Sequence, residues 1–190
     1  MNHLLSKIGS YPFEKLNLLH KDIKPSKDVI NLSIGEPKLN ADSKVLDILN
    51  KEANSFSNYP PMNAIPELSE AYRQYLESHF GIKNVAEDEV CLVAGTREGT
   101  FSIIQALFNK ENVKDKPYVV MPNPFYQIYG GATTLAGGEA KFLDCPEEDN
   151  FQPDLGSLKS EDWQKCQILV LCSPNNPTGS VLPLSKLKDI

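Results

Sequence analysis

The sequence of 190 residues predicts an α/β fold of three layers, in which a mostly parallel sheet lies between two layers of helices. Apolar strand-like runs alternate along the chain with segments whose apolar residues recur at helical spacing. Glycine and proline punctuate these runs, and no repeat or low-complexity segment interrupts the pattern. The proportions of hydrophobic residues, 41%, and charged residues, 23%, are typical of a globular protein with a buried core.

The first part of the chain predicts two helices after an N-terminal arm. The arm shows only a short extended run, 29–37, and otherwise looks mobile. Apolar residues at helical spacing predict helices over 41–53 and 66–80, with a proline-rich loop at 58–66 between them. The second helix begins at Pro66, and proline is favoured at the first helical position.

From residue 89 onward, strands and helices alternate. Strands are predicted at 89–95, 118–122, 139–145 and 167–173, helices at 97–108 and 126–137, and a short helix or loop at 155–163. Such alternation predicts parallel strands with both faces of the sheet covered. A last helix starts at Pro183 and has no C-terminal cap before the sequence stops. We therefore expect the chain to be a truncated piece of a longer protein.

Charge and cysteine content exclude several classes of function. The net charge of -6 and the lack of a basic cluster argue against a nucleic-acid partner. The sequence shows no signal peptide and no segment of transmembrane length, which predicts a protein without a membrane partner. The cysteines have no metal-ligand spacing, and no metal site is assigned. Cys91 and Cys172 lie in apolar runs and are expected to be buried free thiols, which favours a cytoplasmic setting.

Three loops are predicted at the edge of the sheet where ligands bind in open parallel folds. The loop 94–99, "AGTREG", places Gly95 and Thr96 where a strand turns into a helix. Free N–H groups of the first helical turn would favour an anion there, and phosphate is the natural candidate. The alternative is a tight glycine turn without a ligand.

The loop 122–126, "PNPFY", brings aromatic rings to the same edge. Tyr126 could stack on a flat heterocycle, whereas we expect Phe125 and Tyr129 to pack into the core.

In the loop 173–179, "SPNNPTG", Asn176 is followed by proline, and its amide could bind a phenolic oxygen. An ordinary proline turn is the alternative. A phosphate, a flat ring and a ring hydroxyl together describe pyridoxal 5′-phosphate.

These motifs carry a resemblance to a known family. "NLSIGEP", "YPPMNAIPEL", "AGTREG", "PNPFYQIY" and "SPNNPTG" occur in the order and spacing of fold-type I aminotransferases of class I/II. The resemblance covers essentially the whole chain. "YPFEKL" and "CSPNNPTGSVLPL" make it more similar to the bacterial N-succinyldiaminopimelate aminotransferases. The predicted fold is then that of the large domain of pyridoxal-phosphate-dependent transferases.

The resemblance implies a role for each loop. Gly95, Thr96 and Arg97 would hold the cofactor phosphate through their backbone and the Thr96 hydroxyl. Tyr126 would stack on the pyridine ring, and Asn176 would hydrogen-bond the O3′ of the ring.

Further roles follow from the same resemblance. Tyr59 would reach the phosphate bound by the neighbouring subunit of a homodimer, and Gly35 would lie against the α-carboxylate of the substrate. Pro124 and Pro177 are candidate cis prolines. Two positions depart from the family pattern. Ala64 stands where glycine is usual, and Ser69 stands where arginine is usual, which we expect to remove a surface charge.

The resemblance also predicts the domain organisation. Residues 1–40 would form the arm and a small-domain segment, and 41–190 the N-terminal part of the large cofactor-binding domain. The Schiff-base lysine of the family would lie beyond residue 190, so no catalytic residue is assigned. Lys186 is rejected as a substitute because it follows the loop 173–179 too closely, and a solvated lysine is expected there.

The predicted activity is a cytoplasmic transaminase that moves an amino group between an amino acid and a 2-oxo acid. The expected pair is N-succinyl-L,L-diaminopimelate, in lysine biosynthesis, and 2-oxoglutarate. Residues 1–190 alone are expected to be inactive. The alternatives are another class I/II aminotransferase, a C–S lyase, or a non-catalytic remnant. A nucleotide-binding domain is disfavoured because the sequence lacks phosphate-loop signatures.

Overall fold

A computed structural model of the protein describes residues 2–59, 65–109, 111, 116–188 and 190. The chain divides into two compact units. One is Phe13–Leu92, and the other combines Met1–Pro12 with Val93–Ile190. The predicted division at residue 40 stays a prediction, and Ala64 lies outside the described residues.

Residues 12–80 contain three helices, α1 (Pro12–His20), α2 (Ser43–Lys51) and α3 (Pro66–Phe80). The Asp42 side chain caps α2 by accepting a hydrogen bond from the Lys44 N–H over 2.9 Å. Gly81 ends α3 in the left-handed conformation, with φ of 68°. The two helices predicted here are confirmed, whereas α1 arises in the arm, where no helix was predicted.

One prediction about α3 is wrong. Ser69 was expected at the surface, but it is only 1% exposed. Its hydroxyl has no hydrogen-bond partner among the described residues. Ser69 therefore packs inside the protein near the start of α3. The difference from the arginine usual in the family changes a buried side chain as well as a charge.

The second unit contains a parallel sheet of three strands, β1 (Tyr118–Asn123), β2 (Glu139–Asp144) and β3 (Cys166–Leu169). The strand order is β2-β1-β3, and both neighbours run parallel to β1. The helices of this unit are α4 (Thr96–Leu107), α5 (Ile128–Ala136), α6 (Ser160–Lys165) and α7 (Leu184–Lys188). The predicted α/β class with parallel strands is thereby confirmed.

The core lies on both faces of β1. On one face Val119 and Met121 pack with Phe108 and with Tyr129 of α5. On the other face Val120 packs with Leu143 of β2 and with Leu158, from a short 3-10 turn before α6. Side chains of successive strand residues point to opposite faces, so the alternation along β1 builds two cores from one strand.

An ion pair fastens α6 to β2. Lys141 Nζ lies 3.1 Å from Asp162 Oδ1, and Asp162 also accepts the Lys159 backbone N–H over 3.0 Å. That backbone hydrogen bond, and then Lys141, hold the pKa of Asp162 below its usual range. The carboxylate is therefore ionised where α6 meets the sheet.

The predicted strand at 89–95 is wrong. Residues 91–95 are irregular, and Cys91 is exposed instead of buried. A strand needs a neighbour for its N–H and C=O groups, and the described sheet pairs β1 only with β2 and β3.

Cys172 is half-buried, because β3 ends at Leu169. All four cysteines are free thiols. No helix among the described residues is long and apolar enough to cross a membrane.

Gly138, which follows α5, tests the packing of this core. A Cβ at this position would lie within 3.0 Å of the ring of Phe108, which is buried against β1. We expect Gly138→Ala to lower the free energy of unfolding by about 1–3 kcal/mol, because the buried ring must shift. Gly131→Ala within α5 is the matched control, since its Cβ would meet nothing within 4 Å. Urea unfolding followed by circular dichroism measures both; equal stability of the two variants would contradict the packing.

Candidate functional site

The turn into α4 presents backbone N–H groups that no side chain in the described ranges caps. Gly95 precedes the helix with φ of 122°, a conformation that residues with a Cβ rarely adopt. The hydrogen bond that closes the first turn joins the Gly99 N–H to the Gly95 carbonyl over 3.0 Å. The N–H groups of Thr96, Arg97 and Glu98 therefore lie free at the helix N-terminus, where the helix dipole favours an anion.

Arg97 connects this turn to the loop that follows β1. Its Cζ lies 5.6 Å from the centroid of the Tyr126 ring, within the range of a cation–π contact. Thr96 and Arg97 are exposed, whereas Tyr126 is half-buried. A cation, a hydroxyl and an aromatic ring thus lie next to the free N–H groups of α4.

Tyr129 packs against Tyr126. The two rings meet edge to face, with centroids 5.7 Å apart and planes at 88°. The Cys172 thiol donates a hydrogen bond to the Pro174 carbonyl over 3.2 Å. Burial, then Cys172 and Tyr126, raise the pKa of Tyr129 to about 12.

The loop 173–179 is held by its own hydrogen bonds. The Asn175 N–H donates to the Ser180 carbonyl over 2.8 Å, and its side-chain amide donates to the Thr178 hydroxyl over 3.0 Å. Asn175 is buried, but Asn176 is exposed. The amide of Asn176 makes no hydrogen bond with any residue that the structure describes. The loop therefore exposes the Asn176 amide, which is unpaired within the described part of the chain.

The peptide bonds before Pro124 and Pro177 are cis, as predicted, and the bond before Pro174 is cis as well. Phe125 and Tyr129 pack against the core cluster of β1, also as predicted.

The predicted site residues fall into two groups. Gly95, Thr96, Arg97 and Tyr126 are together in the second unit, which also holds Asn176 a few residues beyond Cys172. Gly35 and Tyr59 belong to the unit Phe13–Leu92, and Tyr59 is fully exposed. The roles of these two residues stay predictions.

Lys186 lies on α7 and is engaged elsewhere. Its Nζ lies 2.7 Å from Asp149 Oδ2. The lysine was expected to be solvated, but it is ion-paired and about a quarter of its side chain is exposed. Its charge is therefore committed to a contact outside the three loops.

A groove of about 490 Å³ lies beside Arg97. Residues Lys7–Pro12 form one wall, and Phe125 and residues of α5 and β2 form the other. Lys7 and Arg97 are the two cations among its lining residues, which include no carboxylate. The groove therefore suits an anionic ligand with some apolar surface.

Sequence reasoning missed the edge-to-face contact between Tyr126 and Tyr129 and the cation–π contact between Arg97 and Tyr126. The available signal was weak: Tyr129 follows Tyr126 by three residues. Both contacts depend on how α4, α5 and the loop after β1 meet in the fold, which no local spacing reveals. The role of Lys7 was missed for the same reason.

This arrangement is typical of α/β proteins that bind a phosphorylated ligand beyond the carboxyl ends of parallel strands, next to a helix N-terminus. The family model for aminotransferases of class I and II matches residues 27–190, and the chain belongs to this family. The family uses pyridoxal 5′-phosphate.

Individual relatives agree with this assignment. LL-diaminopimelate aminotransferase of Natranaerobius thermophilus is 29% identical over 182 residues, covering 94% of this chain and 46% of the relative. LL-diaminopimelate aminotransferase 2 of Nostoc sp. is 30% identical over 190 residues, covering 98% and 47%. An aminotransferase structure from Neisseria meningitidis is 39% identical with a TM-score of 0.89, covering 100% of this chain and 48% of that one. The chain spans about half the length of the curated relatives it matches.

The residues present fit the cofactor of the family. Free N–H groups at the start of α4 and the Thr96 hydroxyl form a donor set that suits a phosphate dianion. No Cβ fills the space at Gly95. Tyr126 supplies an aromatic ring, and Asn176 supplies an amide whose donor and acceptor are both unused by the described residues.

Tyr129 should give the protein a defined response to alkaline pH. Because its pKa is raised from 10.0 to about 12, its contribution to stability is fully present below pH 10 and is lost as the pH rises through 12. We expect Tyr129→Phe to lose less stability than the wild type across this interval. The measurement is the free energy of unfolding in urea at closely spaced pH values.

The control is Tyr118→Phe, because Tyr118 packs with the cluster on the opposite face of β1. This variant should follow the wild-type curve. Parallel curves for Tyr129→Phe and the wild type above pH 10 would show that Tyr129 is not the group that titrates.

Proposed function

We propose that the protein is a pyridoxal-phosphate-dependent aminotransferase and that this chain supplies the phosphate, ring and O3′ contacts of the cofactor. The observation that carries the proposal is the contact between Arg97 and Tyr126, which places an aromatic ring beside the uncapped start of α4. Membership of the class I and II family supports it. When bound, pyridoxal 5′-phosphate supplies an electron sink that stabilises negative charge at the α-carbon of an amino acid.

The residues of the chain would act by binding and orienting. The N–H groups of Thr96 and Arg97, with the Thr96 hydroxyl, would bind the phosphate at the positive end of the α4 dipole. Tyr126 would fix the plane of the ring by stacking. Asn176 would donate to the O3′ oxygen and thereby favour its ionised form, because a hydrogen bond to the charged form lowers a pKa.

Two residues of the first unit complete the proposal. Gly35 would leave room for the α-carboxylate of the substrate. A Cβ built at Gly35 meets no atom within 4 Å, so the space beside this residue is open. Tyr59, which is fully exposed, would donate its hydroxyl to the phosphate held by the neighbouring subunit of a homodimer.

We propose an amino donor of the diaminopimelate type, with N-succinyl-L,L-diaminopimelate as the first candidate and 2-oxoglutarate as the acceptor. The groove beside Arg97 supports a donor with an additional carboxylate, because its lining carries Lys7 and Arg97 and no acidic residue. L,L-Diaminopimelate itself is the second candidate, favoured by the names of the relatives from Natranaerobius thermophilus and Nostoc sp..

Pyridoxine 5′-phosphate tests the cofactor contacts directly. It carries the phosphate, the ring and O3′, but no aldehyde, so its binding does not depend on a covalent bond to a lysine. In the full-length protein freed of cofactor, we expect Thr96→Ala and Asn176→Ala each to weaken its binding about tenfold, since each loses a hydrogen bond to a charged group. Quenching of protein fluorescence measures the dissociation constant.

Lys186→Ala is the control, because Lys186 pairs with Asp149; it should bind pyridoxine 5′-phosphate as the wild type does. Unphosphorylated pyridoxine should bind far more weakly than its phosphate. Equal affinity of the wild type for the two compounds would exclude the phosphate site and the proposed function with it.

Arg97→Ala tests the amino donor. If the guanidinium binds the succinyl carboxylate, the KM for N-succinyl-L,L-diaminopimelate should rise about tenfold, as expected for a lost charged hydrogen bond. The KM for L,L-diaminopimelate should rise much less. Lys188→Ala, which removes an exposed cation on α7, is the control. An equal rise in both KM values would remove the preference for the succinylated donor. The affinity of the Arg97→Ala variant for pyridoxine 5′-phosphate is measured as well, so that an effect on the substrate is distinguished from an effect on the cofactor.

A further inference from the structure

The loop 173–179 contains one buried and one exposed amide. Asn175 is 8% exposed, whereas its neighbour Asn176 is exposed and carries the amide proposed for the O3′ contact. Because the two residues are adjacent, the hydrogen bonds that fix Asn175 also fix the backbone from which the Asn176 side chain extends. The partners of Asn175 therefore matter for the presentation of Asn176.

Asn175 closes the loop through three hydrogen bonds. Its N–H donates to the Ser180 carbonyl over 2.8 Å, and its carbonyl accepts the Gly179 N–H over 2.7 Å. Its side-chain amide donates to the Thr178 hydroxyl over 3.0 Å. The same hydroxyl accepts the Ser180 N–H over 3.3 Å. Asn176 thus lies inside the ring of residues that Asn175 closes.

One atom of Asn175 is left without a partner among the described residues. Its side-chain oxygen, Oδ1, is buried and accepts no hydrogen bond from them. Buried polar atoms in native proteins nearly always have a partner, which is either a protein group or an ordered water. Since the NH2 end of the same amide is already paired with Thr178, the oxygen is the end that needs a donor.

A small cavity of about 10 Å³ lies beside this amide. Among its described lining residues, Asn175 and Ser180 are the two whose side chains carry an oxygen. A volume of this order holds one water molecule, whereas an entirely apolar cavity stays empty. The size therefore excludes a larger ligand, and the two oxygens favour a water. The rest of the lining is mostly apolar and includes Pro122, Phe151, Leu171 and Leu182.

We propose that this cavity binds one buried water molecule, which donates to Asn175 Oδ1 and bridges to the Ser180 hydroxyl, and that Asn175 is a positioning residue for Asn176. With the water in place, both ends of the Asn175 amide are paired, one with Thr178 and one with the water. This inference rests on the proposed function, because Asn176 needs a fixed position only if it binds the O3′ of the cofactor. Asn175 itself does not touch the cofactor.

Conservative variants separate the hydrogen bonds of Asn175 from its packing. Asn175→Leu keeps a similar shape of the side chain and removes both polar ends of the amide. Thr178→Val removes the hydroxyl that accepts from Asn175, whereas Thr178→Ser keeps it. Ser185→Ala, at an exposed position of α7, is the control. The far-ultraviolet circular dichroism spectrum checks that each variant is folded.

Binding of pyridoxine 5′-phosphate to the full-length protein freed of cofactor tests the positioning role. We expect Asn175→Leu and Thr178→Val each to raise the dissociation constant about three- to tenfold, the usual range for a lost hydrogen bond. Thr178→Ser and Ser185→Ala should stay within about twofold of the wild type. In the Asn176→Ala variant, adding Asn175→Leu should weaken binding by no more than about twofold, because Asn175 acts through Asn176. The full loss in that variant would contradict the inference, since Asn175 would then act independently.

The ionisation of O3′ supplies a second readout, which a general loosening of the loop would not move in this way. The ultraviolet absorption of bound pyridoxine 5′-phosphate, followed against pH, reports this ionisation. Asn175→Leu should raise the pKa of O3′, as Asn176→Ala should, because a hydrogen bond to the ionised form is lost. An unchanged pKa of O3′ in Asn175→Leu would refute the positioning role.

A high-resolution crystal structure of the full-length protein tests the water. We expect one ordered water within hydrogen-bonding distance of Asn175 Oδ1 and Ser180 Oγ in the wild type, and none in Asn175→Leu, whose cavity loses the oxygen of the amide. An empty cavity in the wild type, or a protein group paired with Oδ1 in place of the water, would overturn the inference.

The outcomes distinguish this inference from the proposed function. If the wild type binds pyridoxine 5′-phosphate in preference to pyridoxine, but Asn175→Leu binds it equally well, the positioning role fails and the proposed function stands. If the wild type shows no preference for the phosphate, both fail.

Discussion

The burial of β1 is the constraint on which the site depends. Val119, Val120 and Met121 are completely buried, with one core on each face of the strand. Because β3 runs parallel to β1, the loops that follow the two strands leave the sheet at the same edge. The aromatic loop and the asparagine loop are therefore neighbours through strand pairing, although many residues separate them in the sequence.

The same edge gathers positive potential in an acidic protein. The chain carries a net charge of -6, yet the uncapped N-terminus of α4, Arg97 and Lys7 lie at or beside the site. A local positive field within an overall negative surface raises the local concentration of small anions. This distribution agrees with a phosphorylated cofactor and a substrate with several carboxylates.

Local signals explain which elements could be predicted from the sequence. Pro66 and Gly81 mark the ends of α3, and the apolar run of β1 stands out because this strand is buried on both faces. The glycine turn before α4 was equally readable, because Gly95 adopts a backbone conformation that favours glycine. In each case a few adjacent residues determine the structure.

Failures of prediction occurred where structure depends on distant partners. Residues 91–95 have the apolar composition of a strand, but composition cannot supply a neighbouring strand. Cys172 looked like a core residue because its run is apolar, but β3 ends at Leu169 and Cys172 is only half-buried. The candidate loops were therefore predictable, whereas the contacts that join them were not.

The geometry at Tyr126 explains why a positioning contact would matter. An aromatic ring has two faces, and the Arg97 guanidinium already lies 5.6 Å over Tyr126. A flat cofactor ring needs the other face, so cation and cofactor can be accommodated together only while Tyr126 keeps one orientation. Tyr129 lies perpendicular to Tyr126 and is itself held in the core by Phe108, Val119 and Met121. The ring of Tyr126 is therefore held in place by packing against Tyr129 of α5, which itself packs on the buried strand β1.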